Sequence, residues 1–181
     1  MKLGPLLAMH GSDKHRRHRY DRAYELFLQP YRTRDDVVLV EAGVGRGGSL
    51  RAWRAWLPRA RIIGVDIDPR VTSHLDGLDV ELRLDDATVP EFWQSPGLPA
   101  AYTVAIDDAS HVAADQIAMH QIVWPLIEPG GLYVCEDLVC HSPATDYFAE
   151  LAREQVVSRT RHYPPLVCFA GGAVFLQKSM P

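Results

Sequence analysis

Acidic residues stand at two places where an apolar run ends: Asp107 and Asp108 after one run, and Glu136 and Asp137 after a later one. His111 follows three positions after Asp108. Carboxylate oxygens are the ligands that hard divalent cations prefer, and a histidine can accept a proton near neutral pH. If the two runs are neighbouring strands of one sheet, these side chains can form a metal-dependent catalytic site.

On adjacent strands, about 4.8 Å apart, Asp108 would lie close to Glu136 and Asp137. Three carboxylates at that distance repel one another unless a cation binds between them. We therefore predict a Mg²⁺ ion, or another divalent cation, held by these three residues, with His111 as the general base for a substrate hydroxyl. Helix capping by the first acidic pair and a plain loop at the second are the structural alternatives.

A glycine-rich segment follows the first apolar run, residues 37–42. Gly43, Gly45 and Gly48 match the G-x-G-x-x-G pattern of dinucleotide-binding loops, and Asp66 ends the next apolar run. Glycines let the backbone approach a ligand, the following helix offers free N–H groups, and the acid can accept both ribose hydroxyls. This order predicts a nucleotide-type ligand, with a tight turn and a solvated acid as the alternative.

S-adenosylmethionine and NAD both suit a glycine loop of this kind. Glu41, which precedes the glycines, favours S-adenosylmethionine, because a carboxylate attracts the amino group of that donor and repels a pyrophosphate. A dinucleotide enzyme usually has a second mononucleotide half or a substrate domain, for which the chain has little room. We therefore expect S-adenosylmethionine, with a short NAD-type oxidoreductase as the alternative and Asp85–Asp86 facing either adenine or solvent.

Short apolar runs alternate with helical stretches along most of the chain. The predicted strands are residues 37–42, 61–67, 80–84, 102–106, 132–135, 166–169 and 173–176. Such alternation predicts an α/β fold with a mostly parallel sheet and right-handed crossovers. The longest helical stretch, residues 112–127, is expected between the two strands that carry the acidic pairs.

Gly171-Gly172 separates the last two apolar runs, which predicts an antiparallel hairpin at the C-terminal end. A mostly parallel, seven-stranded sheet with such a hairpin is typical of class I methyltransferases, whose fold is Rossmann-like. Residues 1–36 precede the sheet and are expected to form a helical lead-in or lid. We expect one domain over residues 1–181.

Length and composition are those of one soluble globular domain: 181 residues, 47% of them apolar and 23% charged. The net charge of −4 gives no indication of a nucleic acid or a membrane partner, and the apolar stretches are shorter than the roughly 18 residues of a membrane helix. Cys135, Cys140 and Cys168 lack metal-ligand spacing, so reduced thiols in a cytoplasmic protein are expected. The expected partner is a small-molecule acceptor, and homo-oligomerisation is left open.

A more specific signal comes from motifs distributed over residues 10–137. They are Gly11-Ser12-Asp13-Lys14 with His18-x-Tyr20, the loop from Glu41 to Trp53, Asp66-Ile67-Asp68-Pro69, Asp107-Asp108-Ala109-Ser110-His111 and the segment from Pro129 to Asp137. In this order they resemble the motifs of the macrocin and mycinamicin sugar O-methyltransferases and the related rhamnosyl O-methyltransferases, which tailor antibiotics.

The resemblance implies Mg²⁺-dependent methyl transfer from S-adenosylmethionine to a sugar hydroxyl of a glycosylated secondary metabolite. The metal ligands and the base named above follow by position, and Ser12, Lys14 and Tyr20 would help to close the cofactor pocket. The residues expected at the cofactor are Ser12, Lys14, Tyr20, Glu41, Gly43, Gly45, Gly48, Ser49, Asp66, Ile67, Asp85, Asp86 and Asp107.

Two positions depart from the family pattern. Asp86 stands where glutamine is expected, and Ala109 replaces a more usual glycine. Larger members of the family also carry N-terminal regions, so the sugar assignment does not follow from the core motifs alone. A non-catalytic homologue that binds the cofactor is a further alternative, against which intact His111, Asp108 and Glu136 argue.

Overall fold

The computed structural model, which describes residues 2–157 and 166–180, contains one seven-stranded sheet. Its strands are β1 (Val38–Ala42), β2 (Arg61–Asp66), β3 (Glu81–Leu84), β4 (Tyr102–Asp107), β5 (Ile127–Cys135), β6 (Leu166–Ala170) and β7 (Ala173–Gln177). The spatial order is β3-β2-β1-β4-β5-β7-β6. Strands β1 to β5 are parallel, and β7 pairs antiparallel with both β5 and β6. The predicted class I methyltransferase fold is thereby confirmed.

Helices cover both faces of the sheet. The α-helices are α1 (Leu3–Met9), α2 (Asp13–Arg16), α3 (Asp21–Leu28), α4 (Gly48–Trp56), α5 (Ala113–Val123) and α6 (Pro143–Val157). Short 3₁₀ helices span Gln29–Tyr31, Pro69–His74, Pro90–Gln94 and Trp124–Leu126. None of the helices in the described part of the chain is long and apolar enough to cross a membrane.

The core consists of one apolar cluster on each face of the sheet. Strand β4 contributes to both clusters and is buried along its whole length. Val104 and Ile106 belong to the cluster beneath α1, α3 and α4, whereas Ala105 belongs to the cluster beneath α5 and α6. This alternation is the pattern of a strand covered by helices on both faces. The lead-in helices therefore form part of the core, with Leu3 and Leu28 fully buried.

One predicted boundary differs clearly: β5 begins at Ile127, whereas the predicted strand begins at residue 132. The helix before it ends at Val123 because Pro125, in the 3₁₀ turn that follows, has no N–H to continue the helical hydrogen bonds. Ile127 then pairs with Tyr102, and a register shift separates this pair from the regular pairing that starts at Val104.

The parallel register sets the position of the acidic residues. Ala42 pairs with Asp107, and Asp107 pairs with Cys135. The next residues are fixed by backbone hydrogen bonds, since Asp108 N donates to Ala42 O at 2.9 Å and Glu136 N donates to Asp107 O at 2.9 Å. The carboxyl ends of β1, β4 and β5 therefore meet at one edge of the sheet, as predicted.

Gly43 is required where the end of β1 passes the loop after β4. Its φ is +89°, and a Cβ atom at this position would overlap the carbonyl oxygen of Asp108. Gly45, two residues later, has a φ of +52°, but a Cβ atom there would meet open space.

We predict that Gly43→Ala lowers the free energy of unfolding by about 3 kcal/mol or more, because the methyl group adds steric overlap to left-handed backbone strain. Gly45→Ala is the matched control and should cost only about 1 kcal/mol, the strain alone. Urea denaturation of both variants measures the difference. Equal losses would contradict the close approach at Gly43.

Candidate active site

A cavity of about 670 Å³ lies beyond the carboxyl ends of β1, β2, β3 and β4. Its volume lies in the range of small-molecule and cofactor sites. Ten of the residues predicted at the cofactor line it: Ser12, Lys14, Gly43, Gly45, Gly48, Ser49, Asp66, Ile67, Asp85 and Asp86. The glycine loop, the acid at the end of β2 and the lead-in motif thus surround one space.

Asp66 fixes the shape of the glycine loop. Its Oδ2 accepts hydrogen bonds from Val44 N at 2.8 Å and Gly45 N at 3.2 Å, and its Oδ1 accepts one from Asp68 N at 2.9 Å. On the other side of the loop, the guanidinium of Arg51 donates to the carbonyl of Gly47 at 3.0 Å. The loop is therefore held by side-chain contacts at both ends.

Glu41, predicted at the cofactor, lies outside the cavity wall. Its side chain is fully buried, its Oε2 accepts a hydrogen bond from Trp53 Nε1 at 2.8 Å, and its Oε1 is 3.2 Å from Lys14 Nζ. The role of Glu41 toward the amino group of a ligand stays a prediction, and in this structure an internal lysine faces the carboxylate.

Tyr20 and Asp107 also lie away from the cavity. The hydroxyl of Tyr20 donates to Asp137 Oδ1 at 3.0 Å. The side chain of Asp107 is 3% exposed and lies 3.5 Å from the hydroxyl of Tyr133. Successive side chains of a strand point to opposite faces, so Asp108 alone of the acidic pair reaches the site. Burial raises the pKa of Asp107 to about 6.

Lys14 is the buried cation among the acidic residues. Its Nζ lies 2.5 Å from Asp108 Oδ2, 2.7 Å from Glu136 Oε1 and 3.2 Å from Glu41 Oε1. Burial tends to lower the pKa of the ammonium, but the charges of Glu136, Glu41 and Asp108 raise it well above its usual value. The side chain is 1% exposed, so the ammonium of Lys14 is buried where three strand ends converge.

Asp108, His111 and Asp137 form a second cluster on the solvent side of this lysine. Each offers one ligand atom, and these atoms lie within 4.8 Å of one another. His111 Nε2 is 3.1 Å from Asp108 Oδ1, and His111 Nδ1 is 3.5 Å from Asp137 Oδ2. Hydrogen bonding to Asp108 raises the pKa of His111. The cluster can hold a cation and move a proton.

Glu136, predicted as a third metal ligand, is not part of that cluster. Its side chain is 2% exposed, and its Oε1 accepts hydrogen bonds from Lys14 Nζ and from the hydroxyl of Tyr24. Both contacts use the same oxygen, so Oε2 is the atom that Glu136 can offer to a cation. The sequence predicted the strand end correctly but not the two lead-in side chains that face it.

Strained backbone is concentrated at this site. Among the described residues, the non-glycine positions with positive φ are Arg19 (61°), His111 (57°), Asp137 (53°) and His141 (60°). His111 and Asp137 belong to the cluster. Arg19 lies between His18 and Tyr20, and both of these residues contact Asp137. Left-handed conformations of this kind persist where surrounding contacts fix them, and they are frequent at functional sites.

Several polar residues of the cavity wall are not among those predicted at the cofactor: Asp13, Thr88, Ser110 and Asp115. Ser110 Oγ donates to Asp115 Oδ2 at 2.7 Å, across the start of α5. Ser110 and Asp13 belong to motifs that carry the family resemblance, so their position near the cofactor could have been predicted from those motifs. Asp115 carried no signal of its own, because its place depends on how α5 begins.

No protein-family model matches the chain, but several curated O-methyltransferases are similar to it. It is 37% identical over 150 residues to the 8-demethyl-8-α-L-rhamnosyl tetracenomycin-C 2'-O-methyltransferase of Streptomyces olivaceus. The aligned region covers 75% of this chain and 37% of that protein. It is 34% identical over 123 residues to the mycinamicin VI 2''-O-methyltransferase of Micromonospora griseorubida. Here the aligned region covers 64% of this chain and 30% of that protein. The chain thus spans about a third of the length of these relatives.

Among solved structures, MycE methyltransferase from the mycinamycin biosynthetic pathway, in complex with Mg and SAH (S-adenosylhomocysteine), has a TM-score of 0.85 at 25% identity and covers 99% of this chain and 55% of that one. An rRNA methylase from Streptococcus thermophilus has a TM-score of 0.58 at 15% identity, covers 85% of this chain and 93% of that one, and shows the fold alone. In sequence and in fold, the chain is similar to the sugar O-methyltransferases of antibiotic biosynthesis, which confirms the resemblance predicted from its motifs.

Proposed function

We propose that the protein is a divalent-metal-dependent O-methyltransferase that transfers a methyl group from S-adenosylmethionine to a hydroxyl group of a glycosylated secondary metabolite. One observation carries the proposal: Asp108 lines the cavity and also belongs to the carboxylate–histidine cluster. A methyl donor in the cavity and a hydroxyl group at the cluster would therefore meet at this residue.

The cavity fits S-adenosylmethionine in size and in chemistry. Asp66 and Ile67 offer a carboxylate for ribose hydroxyls and an apolar surface beside it, at the end of β2. The glycine loop allows a close approach of the backbone on the opposite wall. MycE, which is 25% identical to this chain, was solved with SAH, and this supports the same class of cofactor here.

The cluster fits a divalent cation that prefers oxygen ligands. Asp108 and Asp137 are about three-quarters buried, with side-chain exposures of 22% and 23%, and supply carboxylate oxygens. Together with the second carboxylate oxygen of Glu136, such a donor set favours Mg²⁺ or Mn²⁺ over softer transition metals. We propose these three residues as ligands, in agreement with the Mg of the MycE complexes.

When bound, S-adenosylmethionine supplies a methyl group activated by its sulfonium, and the divalent ion lowers the pKa of a coordinated hydroxyl. His111 accepts the hydroxyl proton, because its ring lies between Asp108 and Asp137, beside the place proposed for the hydroxyl. The lead-in turn and the glycine loop hold the donor against the same edge. Proximity of the two reactants supplies much of the rate enhancement.

The acceptor class rests on the relatives. Two of the relatives that are similar to the chain are named as methyltransferases of rhamnosyl tetracenomycin and of mycinamicin, so we propose a sugar hydroxyl on a small natural product. Mass spectrometry of reactions with rhamnosylated and macrolide acceptors tests this directly. The expected result is the gain of one methyl group, with S-adenosylhomocysteine as the second product.

The cofactor assignment predicts that S-adenosylhomocysteine binds in calorimetry. Asp66→Asn should weaken its binding about tenfold to a hundredfold, because the carboxylate both faces the ribose and holds the glycine loop by charged hydrogen bonds. Asp68→Asn is the matched control: it makes the same change two residues later, outside the cavity wall, and should leave the affinity unchanged. Binding of NADH with no binding of S-adenosylhomocysteine would contradict the proposal and favour an oxidoreductase.

The base assignment predicts that His111→Ala lowers kcat about 10²- to 10⁴-fold, the usual contribution of a general base, and keeps the affinity for Mn²⁺. The exposed His74 contacts Arg51 through its backbone carbonyl, so His74→Ala is a control with no expected effect. Turnover in stopped assays and Mn²⁺ titration measure the two quantities separately. A large loss of Mn²⁺ affinity in His111→Ala would make His111 a ligand instead of the base.

The metal assignment predicts that Asp108→Asn weakens Mn²⁺ binding at least about tenfold and that excess EDTA abolishes turnover, with recovery on addition of Mg²⁺. Because Asp108 also faces Lys14, circular dichroism of the variant should be recorded to establish that it folds. Undiminished turnover in excess EDTA would overturn the metal dependence.

A further inference from the structure

The turn between β6 and β7 packs against the lead-in segment without space for side chains. A Cβ atom added to Gly172 would lie 3.0 Å from the hydroxyl oxygen of Tyr20, and one added to Gly171 would lie 3.1 Å from the ring of Tyr20 and 3.2 Å from His18 O. Strand β7 pairs with β5, whose end leads into Asp137, and the turn between β6 and β7 reaches a side chain that contacts the candidate cation cluster.

Tyr20 transmits this contact to Asp137. Its side chain is 1% exposed, and its hydroxyl donates to Asp137 Oδ1 at 3.0 Å. The ring of His18 stacks on Tyr20 with a centroid distance of 5.2 Å, and His18 Nδ1 lies 3.2 Å from the same oxygen. Oδ1 is therefore held from the lead-in side.

The other oxygen of Asp137 points into the cluster, since Oδ2 is the atom that lies 3.5 Å from His111 Nδ1. Asp137 follows the end of β5 and has a φ of +53°, so regular secondary structure does not fix the direction of its carboxylate. The contacts of Oδ1 with Tyr20 and His18 leave Oδ2 as the oxygen that faces the cluster.

The same turn also holds the backbone next to Asp137. Leu138 N donates to Gly172 O at 2.6 Å. The turn thus contacts both the tyrosine that holds the carboxylate and the loop that carries it, so a displacement of the turn would act on Asp137 by two routes.

We propose that the Gly171-Gly172 turn, acting through Tyr20, positions Asp137 for divalent-cation binding. Tyr20 is a positioning residue in this account, distinct from the cofactor-lining role that its motif implied. The inference rests on the proposed function, because it assumes that the cluster of Asp108, His111 and Asp137 binds a divalent cation.

Mn²⁺ binding to Tyr20→Phe, Gly172→Ala and the double variant, measured by calorimetry, tests the proposal. Each single variant should weaken Mn²⁺ binding roughly tenfold, the effect of losing one hydrogen bond to a charged group. Unlike Gly171, Gly172 does not have a positive φ. Its alanine variant therefore probes steric contact without added backbone strain. The losses in the double variant should be less than additive, because Tyr20→Phe removes the hydroxyl oxygen that the added Cβ atom at position 172 would meet.

Tyr31→Phe is the matched control. Tyr31 is also a buried lead-in tyrosine, 3% exposed, and its hydroxyl donates to Gly130 O at 2.6 Å, away from the cluster. It should lose thermal stability as Tyr20→Phe does and keep the affinity for Mn²⁺. A merely structural role of Tyr20 would make the two variants alike.

The outcomes distinguish the positioning role of Tyr20 from the existence of the metal site. Unchanged Mn²⁺ affinity in Tyr20→Phe would overturn the positioning role and leave the metal site standing. Failure of the unmodified protein to bind Mn²⁺ would overturn both. If Gly172→Ala does not fold, Tyr20→Phe compared with Tyr31→Phe still decides the question. Additive losses in the double variant would contradict a shared route through the tyrosine.

Discussion

The buried ammonium of Lys14 is the interaction on which the rest of the site depends. Parallel pairing brings the carboxyl ends of β1, β4 and β5 to one edge of the sheet and with them Glu41, Asp108 and Glu136. Carboxylates buried this close to one another are unfavourable unless a positive charge lies among them. Lys14 Nζ contacts all three, so the lead-in helix α2 neutralises charge that the sheet alone would have to leave unpaired.

This arrangement divides the acidic residues into an inner and an outer group. The inner contacts of Lys14 use Asp108 Oδ2 and Glu136 Oε1, whereas Asp108 Oδ1 faces His111 and the outer cluster. The carboxylate of Asp108 thus connects the buried ammonium of Lys14 with the candidate cation site. Because Lys14 and the N-cap residue Ser12 also line the cavity, the same short helix and its cap contribute to the cofactor wall and to the charge balance of the metal site.

The sequence predicts what the backbone pattern controls, and it misses what depends on packing between distant segments. The strand ends at Asp108 and Glu136 follow from apolar runs and from the rule that parallel strands end at one edge. The contacts of Glu41 with Trp53 and Lys14 could not be predicted, because they form only when α4 and the lead-in pack against β1. The bond from Tyr20 to Asp137 joins residues 117 positions apart, which no local pattern can indicate.

The most direct test of the central claim, that the cavity and the acidic cluster form one active site, is a crystal structure with Mn²⁺ and S-adenosylhomocysteine, recorded with anomalous scattering from manganese. The account predicts an anomalous peak about 2.0 to 2.5 Å from oxygens of Asp108 and Asp137, with the cofactor beside Asp66 and its sulfur directed toward that peak. A cofactor bound elsewhere, or no manganese at these carboxylates, would contradict it.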